Sequence, residues 1–345
     1  MSGDAARRVR TVLVGAGKVG ASYALDPVMA KHYPFASHAQ VLAAHPALEW
    51  GAVVDPSAEA LAAVATRWDV PRRARTVEAA CVDWEPELAV LATPPSERLA
   101  VIDALPSLRA VLVEKPLGTT LRESEAFVAA CRARGLLVQV NLWHRSDDRF
   151  REIAKRLDTL FGRPQAVFGV YGNGLRNNGS HAIDFCRILF GEIARVSAVA
   201  SALGPALGPI PDDIHVPFRL EHENGVAVQL APLDFREYRE NGLDIWGTTG
   251  RLAILQEGLT IARYTKAPNR QMAGQHEIAS DAPELLGSTC GTAFYRMYDN
   301  LVAALREGAE LMSPATSAMR TEAALEAVWR SAHEGGCIVV PDVVS

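Results

Sequence analysis

The chain has few cysteines, no dense run of one charge sign, no internal repeat and no apolar stretch of membrane-spanning length. Its five cysteines, Cys81, Cys131, Cys186, Cys290 and Cys337, are odd in number, widely separated and without a CxxC pair. That pattern argues against a disulfide framework and against a zinc site, and no metal is expected. At a net charge of -5 with no Lys/Arg cluster, the electrostatic footprint of a nucleic-acid binder is missing. Without about 20 consecutive apolar residues, no membrane helix is expected. The opening MSGDAARRVRTVLVG sets basic residues before an apolar stretch that is too short and too glycine-interrupted for a signal peptide. The expected address is the cytoplasm.

What is present is an ordinary globular composition, 49% hydrophobic and 22% charged over 345 residues, which suits two domains at roughly 150 residues each. From Arg10 to about Val140, short apolar runs (TVLVGAG, WGAVVD, LAVLATPP, AVLVEKP, LLVQVN) alternate with amphipathic stretches. Helices are expected over 57–68, 96–105 and 120–134, the first behind a serine cap. Strand and helix in turn imply parallel strands with right-handed crossovers, hence an α/β doubly wound (Rossmann) sheet, placed in residues 1–142. Beyond Asn141 the grammar changes. After helices near 148–161 and 180–190 come VSAVAS, IHVPFRLEH, GVAVQLAPL, LDIWGT and RLAILQ, separated by turns such as Glu223-Asn224-Gly225. These predict an α+β domain with a large, mostly antiparallel open sheet over 143–345. Two irregular stretches, 203–213 and 266–291, are expected as loops, and two final helices near 291–307 and 314–334 carry apolar stripes.

The run VLVEKPLG ends a strand on Glu114, Lys115 and Pro116, at the carboxyl end of an expected parallel strand, where ligands sit in open sheets. A lysine there is often only solvated. Its company gives it weight. GAGKVG, Gly15 to Gly20, follows the first strand and is expected to open a helix, the context of a dinucleotide fingerprint. Gly15 permits the tight turn, Gly17 lets backbone approach the pyrophosphate, Gly20 allows close packing, and Lys18 and Val19 lie between them; the alternative is a plain glycine turn. Asp55, closing WGAVVD, suits the adenosine ribose hydroxyls and favours NAD over NADP. It stands later than the usual ~20 residues after the glycines, so 21–39, with Tyr23, Asp26, His32, Tyr33 and His38, is read as an insertion that borders the site or decorates the surface. LATPPSE puts Thr93 and Pro94 at another strand end, with Ser96 as cap of the following helix. In NGLRNNGSHAID, His181 and Asp184 are three apart on one helical face, near a helix amino end that favours a neutral imidazole. Alone, such a histidine is more often a structural one satisfied by its neighbour.

GAGKVG, ATPP, EKP, VNLWHRSDD and GSHAID, in that order, together with the tail MSPATSAMRTEAALEAVWRSAHEGG, resemble the glucose-fructose oxidoreductase, inositol dehydrogenase and MocA family of NAD(P)-dependent enzymes over nearly the whole chain. The resemblance implies Lys115 between nicotinamide and substrate, His181 as the proton-transfer group, and Asp184 supporting or contacting the site. It further implies Glu114 on the cofactor side, a cis Lys115-Pro116 bond, and His144 and Arg145 lining the pocket. Asn177 departs from the family: many members carry aspartate four places before the histidine, and an amide holds a hydroxyl but takes no proton. The expectation is an NAD(P)-dependent oxidoreductase interconverting a ring hydroxyl and a ketone on a sugar, nucleotide sugar or cyclitol, with Arg145 and Arg176 available for an anionic group. A homodimer or homotetramer through the open sheet is expected. Two alternatives stay open: an NAD-binding sensor without turnover, and redox-assisted elimination or hydrolysis with tightly held NAD.

Overall fold

The computed structural model describes residues 7–206, 208–279 and 281–342. Contacts divide the chain into two compact units, residues 1–146 with 291–319, and residues 147–290 with 320–345.

The first unit is built on six strands: β1 (Val9–Val14), β2 (Leu48–Val54), β3 (Arg72–Ala74), β4 (Leu88–Leu91), β5 (Ala110–Val113) and β6 (Leu137–Val140). They lie in the order β3-β2-β1-β4-β5-β6, every pair parallel. Helices α1 (His38–Ala44), α2 (Ala58–Ala65), α3 (Val77–Ala80), α4 (Pro95–Ala104) and α5 (Leu121–Ala133) fill the crossovers. Strands covered on both faces read as unbroken apolar runs, as LAVL and AVLV do, all eight residues buried. Alternate residues feed two cores: Val12, Val14, Val54, Leu91 and Val113 face one side, Leu13, Val53, Val90 and Leu112 the other. Helix starts follow the expected chemistry at Ser57 and Thr120, whose side chains accept from Ala60 and Glu123 backbone N–H. At α4 the expectation fails: the N-cap position is Pro94, Pro95 opens the helix, and Ser96 sits inside the first turn. Proline's fixed φ suits that position, where no donor is needed.

The second unit opens with α6 (Asp148–Lys155) and α7 (Leu157–Leu160), where one helix is expected; the break falls at Arg156. Next come β7 (Pro164–Gly172), α8 (Ser180–Phe190), β8 (Ile193–Ala198), β9 (Gly204–Pro205), β10 (Ile214–His215), β11 (Phe218–His222), β12 (Ala227–Leu233), β13 (Gly242–Gly247), β14 (Gly250–Leu255), β15 (Thr260–Pro268), β16 (His276–Ile278) and β17 (Glu284–Leu286). A nine-stranded sheet runs β16-β15-β14-β13-β7-β12-β11-β8, with β17 also on β15; only the β7–β12 pair is parallel. β9 and β10 make a small separate ribbon. The stretches expected as loops thus hold short strands, whose two or three residues are too few to carry an alternation; Leu207 and Ser280 within them lie outside the described residues.

The chain ends with α9 (Cys290–Glu307) and α10 (Ala315–His333). A single cut at 142/143 therefore does not describe the packing. Met297, Tyr298, Leu301 and Leu305 of α9 join one core of the first unit, and Ala315, Ala318 and Met319 of α10 join the other. From Arg320 onward the chain belongs to the second unit.

Candidate functional site

The three fingerprint glycines are needed for three different reasons. Gly15 has φ +97°, and a Cβ there would stand 2.5 Å from the Ala92 carbonyl oxygen. A Cβ on Gly20 would lie 2.1 Å from the Gly15 carbonyl oxygen. Gly17 is exposed, and a Cβ there meets nothing within 4 Å, so the space over it is open to a ligand. Lys18 is exposed and Val19 half-buried. The helix after the fingerprint is interrupted. Ala21 N–H bonds Gly17 O, two short 3-10 turns follow (Ser22–Leu25, Met29–Lys31), and α1 begins only at His38 behind a Ser37–Gln40 capping box. Yet His38 N–H donates to Val19 O at 3.0 Å and Ala39 N–H to Gly20 O at 2.9 Å, so the hydrogen-bond ladder closes across the excursion. The insertion is a loop let into a helix.

Asp55, one residue past β2, accepts from Ala16 N–H at 2.7 Å through Oδ2 and from Ser57 N–H at 2.8 Å through Oδ1. It therefore holds the fingerprint loop in place, with lone pairs left on both oxygens for ribose hydroxyls. Thr93, past β4, has its Oγ1 buried without a protein partner, and Pro94 beside it is exposed. Open space over Gly17, a carboxylate at the β2 end and an unsatisfied hydroxyl at the β4 end fit a dinucleotide laid across the switch point between β1 and β4. Arg98 of α4, 2% exposed, donates to the Thr93 carbonyl at 3.0 Å and to Pro116 and Leu117 carbonyls, tying the β4 and β5 end loops together. Nothing in the sequence singles out Arg98, because its burial depends on carbonyls from the loops at the ends of two strands.

Lys115 is half-buried at the end of β5, and its bond to Pro116 is cis. The Glu114 side chain, 14% exposed, accepts from His38 Nε2 at 2.9 Å and from Asn141 Nδ2 at 2.5 Å. His38 Nδ1 meets the Tyr298 hydroxyl at 2.6 Å. Burial pushes the Glu114 carboxyl up; the hydrogen bond and charge of His38, the Asn141 amide and the Lys115 charge outweigh it and leave Glu114 below the ordinary carboxylate range. His38 is thus the member of the insertion stretch that reaches the strand ends, and the signal for it was the capping box that starts α1. His144, in the 3-10 turn Trp143–Ser146, is buried with its ring stacked on Trp143 at 3.8 Å; Arg145 is half-buried.

In the second unit a π turn, Leu175–Gly179, runs into α8, whose second residue is His181, half-buried. Asp213 occupies the amino end of that turn, accepting from Arg176 N–H at 3.0 Å and Asn177 N–H at 3.2 Å. Gly174, φ +96°, leaves it room: a Cβ there would lie 2.0 Å from Asp213 Oδ2. Arg176 stacks its guanidinium 4.0 Å over Trp329. Asp184 is expected to support or to contact the site. It is 0% exposed and accepts from Thr321 at 2.7 Å and Arg187 at 3.3 Å, the latter also bonded to Glu192, which makes it an internal strut. Its place three residues after His181 turns it into the packed side of α8.

A six-stranded parallel sheet with this glycine turn is the architecture of a dinucleotide-binding Rossmann domain. A family model described as "Oxidoreductase family, NAD-binding Rossmann fold" matches residues 9–142, and one described as "GFO/IDH/MocA C-terminal domain" matches residues 150–253. The chain belongs to the glucose-fructose oxidoreductase, inositol dehydrogenase and MocA family, and its cofactor is NAD. A D-apiose dehydrogenase of Paraburkholderia graminis is 25% identical over 312 residues, 82% of this chain and 81% of that protein. The WlbA dehydrogenase of Bordetella pertussis, solved with NADH and UDP-GlcNAcA, superposes with TM-score 0.72 at 21% identity, covering 98% of this chain and 100% of that one. A levoglucosan dehydrogenase solved with NADH and L-sorbose gives TM-score 0.74 at 17% identity, with the same coverage of 98% and 100%.

Proposed function

We propose that the chain is a dehydrogenase or reductase that interconverts a ring hydroxyl and a ketone on a sugar, nucleotide sugar or cyclitol. The observation that carries this reading is Lys115 at the carboxyl end of β5, in the same parallel sheet as the fingerprint loop, in a chain of this family. The sugar-acting relatives support the substrate class. Gly15, Gly17, Lys18, Val19 and Gly20 hold the pyrophosphate, Asp55 the ribose, and Thr93, Pro94 and Glu114 the remainder of the dinucleotide. NAD, when bound, supplies the two-electron acceptor.

Lys115 orients the substrate oxygen and offsets the negative charge that builds on it. His181, at the start of α8, takes the hydroxyl proton at an imidazole nitrogen during oxidation and returns it during reduction. Asn177 holds a neighbouring hydroxyl, since an amide donates and accepts hydrogen bonds but takes up no proton. His144 and Arg145 line the substrate side. The oligomer assembles through the exposed face of the nine-stranded sheet, as a dimer or tetramer.

Incubation of the pure protein with NAD and a panel of sugars and cyclitols, followed by absorbance of the reduced cofactor, tests the reading. Net NADH formation with at least one polyol is expected. NAD binding with no product across the panel contradicts it in favour of a sensor, and product without net NADH points to redox-assisted elimination.

A further inference from the structure

In the second unit, the chain leaves β7 through two successive residues of positive φ, Asn173 at +53° and Gly174 at +96°, a backbone shape that persists only where its surroundings hold it. Gly174 is the pivot. Its carbonyl accepts from Asn178 and Gly179 N–H, both at 3.1 Å, and its own N–H donates to Nε2 of the half-buried His215 at 3.0 Å. The next donors of the π turn, Arg176 and Asn177 N–H, go to the Asp213 carboxylate, which is 2% exposed and also takes Ile214 N–H at 2.8 Å. A backbone N–H can only donate, so the ring nitrogen facing it carries a lone pair: His215 is neutral, with its proton on Nδ1. An imidazolium would set N–H against N–H. Tyr171 of β7 stands edge-on to the ring at 6.0 Å, and the charged groups acting on it are Asp213 and Asp234, the latter paired with Arg236. Burial lowers the pKa of His215 and outweighs the two carboxylates, which raise it, so its midpoint lies below the ordinary 6.5. The contact with Gly174 is therefore intact at neutral pH and lost as the pH falls through that midpoint.

We propose that His215 is a positioning residue: with Asp213 beside it, it holds the turn that carries Asn177 and opens α8 ahead of His181, and it does so only while its imidazole is neutral. The inference rests on the reading of Asn177 and His181 as the groups that hold a hydroxyl and move its proton, and deepens it. It also gives the small β9–β10 ribbon a part in the site, since Asp213 directly precedes β10 and His215 ends it.

Two substitutions in the whole protein separate the acceptor from its titration. His215→Gln keeps an acceptor near the place of Nε2 but takes up no proton, and His215→Leu removes the acceptor. Hydrogen exchange of the backbone amides of 173–181, followed by mass spectrometry and divided by the intrinsic rate at each pH, reads the turn itself. Protection in the wild type is expected to fall about tenfold between about pH 7.5 and about pH 5.5, to stay level in His215→Gln, and to be about tenfold lower already at about pH 7.5 in His215→Leu. At about pH 7.5, kcat on the best polyol of the panel is expected to drop about tenfold or more in His215→Leu with KM for NAD unchanged, and to stay within about threefold in His215→Gln. Protection in His215→Gln that falls with acid as in the wild type overturns the proposal, even if His215→Leu fails to fold. So does a His215→Leu protein with wild-type protection and kcat. The two readings separate: the expected exchange pattern in a protein that turns over no polyol keeps the hold on the turn and removes the dehydrogenase, while turnover with exchange indifferent to position 215 removes the positioning role alone.

Discussion

At the scale of the residue, the glycines show how far spacing carries and where it stops. The tight turn at Gly15 and the close backbone contact at Gly20 were legible in GAGKVG, because both follow from backbone geometry local to the turn. The difference between Gly17 and Gly20 gives a paired prediction. Gly20→Ala drives a Cβ against the Gly15 carbonyl at 2.1 Å, a backbone atom that cannot swing aside, and is expected to cost about 1–3 kcal/mol of stability. Gly17→Ala meets nothing, so its thermal midpoint should match the wild type, while NAD affinity falls about tenfold or more, ~1.4 kcal/mol of lost approach. Equal unfolding midpoints for the two variants, set beside NAD titrations, would contradict this division of labour. His38, Arg98 and Asn141 were not legible in the same way. A buried polar side chain is explained by its partners, and those lie at other strand ends: Glu114 for His38 and Asn141, the Thr93 and Pro116 carbonyls for Arg98. For Asp184, three-residue spacing shows that two side chains share a helical flank, not which of them is buried.

At the scale of the element, the first helix of the fingerprint was hidden because an inserted loop breaks its periodicity after one turn. The ladder bonds from His38 and Ala39 to Val19 and Gly20 show that the two halves are one helix in hydrogen bonding. Deleting Tyr23 to Ser37 joins Ser22 to His38 and puts His38 four places after Val19, the α-helical spacing. Removing fifteen residues of loop saves about 2 kcal/mol of closure entropy, against a comparable loss from the half-buried Phe35. The deleted protein is expected to fold with stability within about 1 kcal/mol of the parent and to bind NAD, as urea unfolding and cofactor titration can measure. A chain that unfolds, or folds without binding NAD, would show that the loop carries part of the site. The short strands β16 and β17 were illegible for a simpler reason, since three residues each, HEI and ELL, are too few to show an alternation.

At the scale of the whole molecule, the alternation of strand and helix up to Val140 and the run of strand-like segments after Phe190 disclosed both sheets. The return of 291–319 to the first unit was not disclosed, because an apolar stripe says that a helix packs and not which sheet it packs on. On the outward face of the nine-stranded sheet, Phe168 and Trp246 keep 47% and 37% of their surface exposed, and Arg251 lies 4.6 Å over the Trp246 ring. If this face carries the proposed self-association, light scattering should give two or four times 37.2 kDa, and Trp246→Glu should lower it. A monomeric wild type would contradict that assembly. The account as a whole turns on what Lys115 does to a polyol once NAD is bound. The most direct measurement compares wild type with Lys115→Ala, by NAD titration and by NADH formation on the best polyol of the panel. The account predicts NAD affinity within about threefold and a rate lower by at least about 100-fold. A variant that forms NADH at the wild-type rate would contradict it.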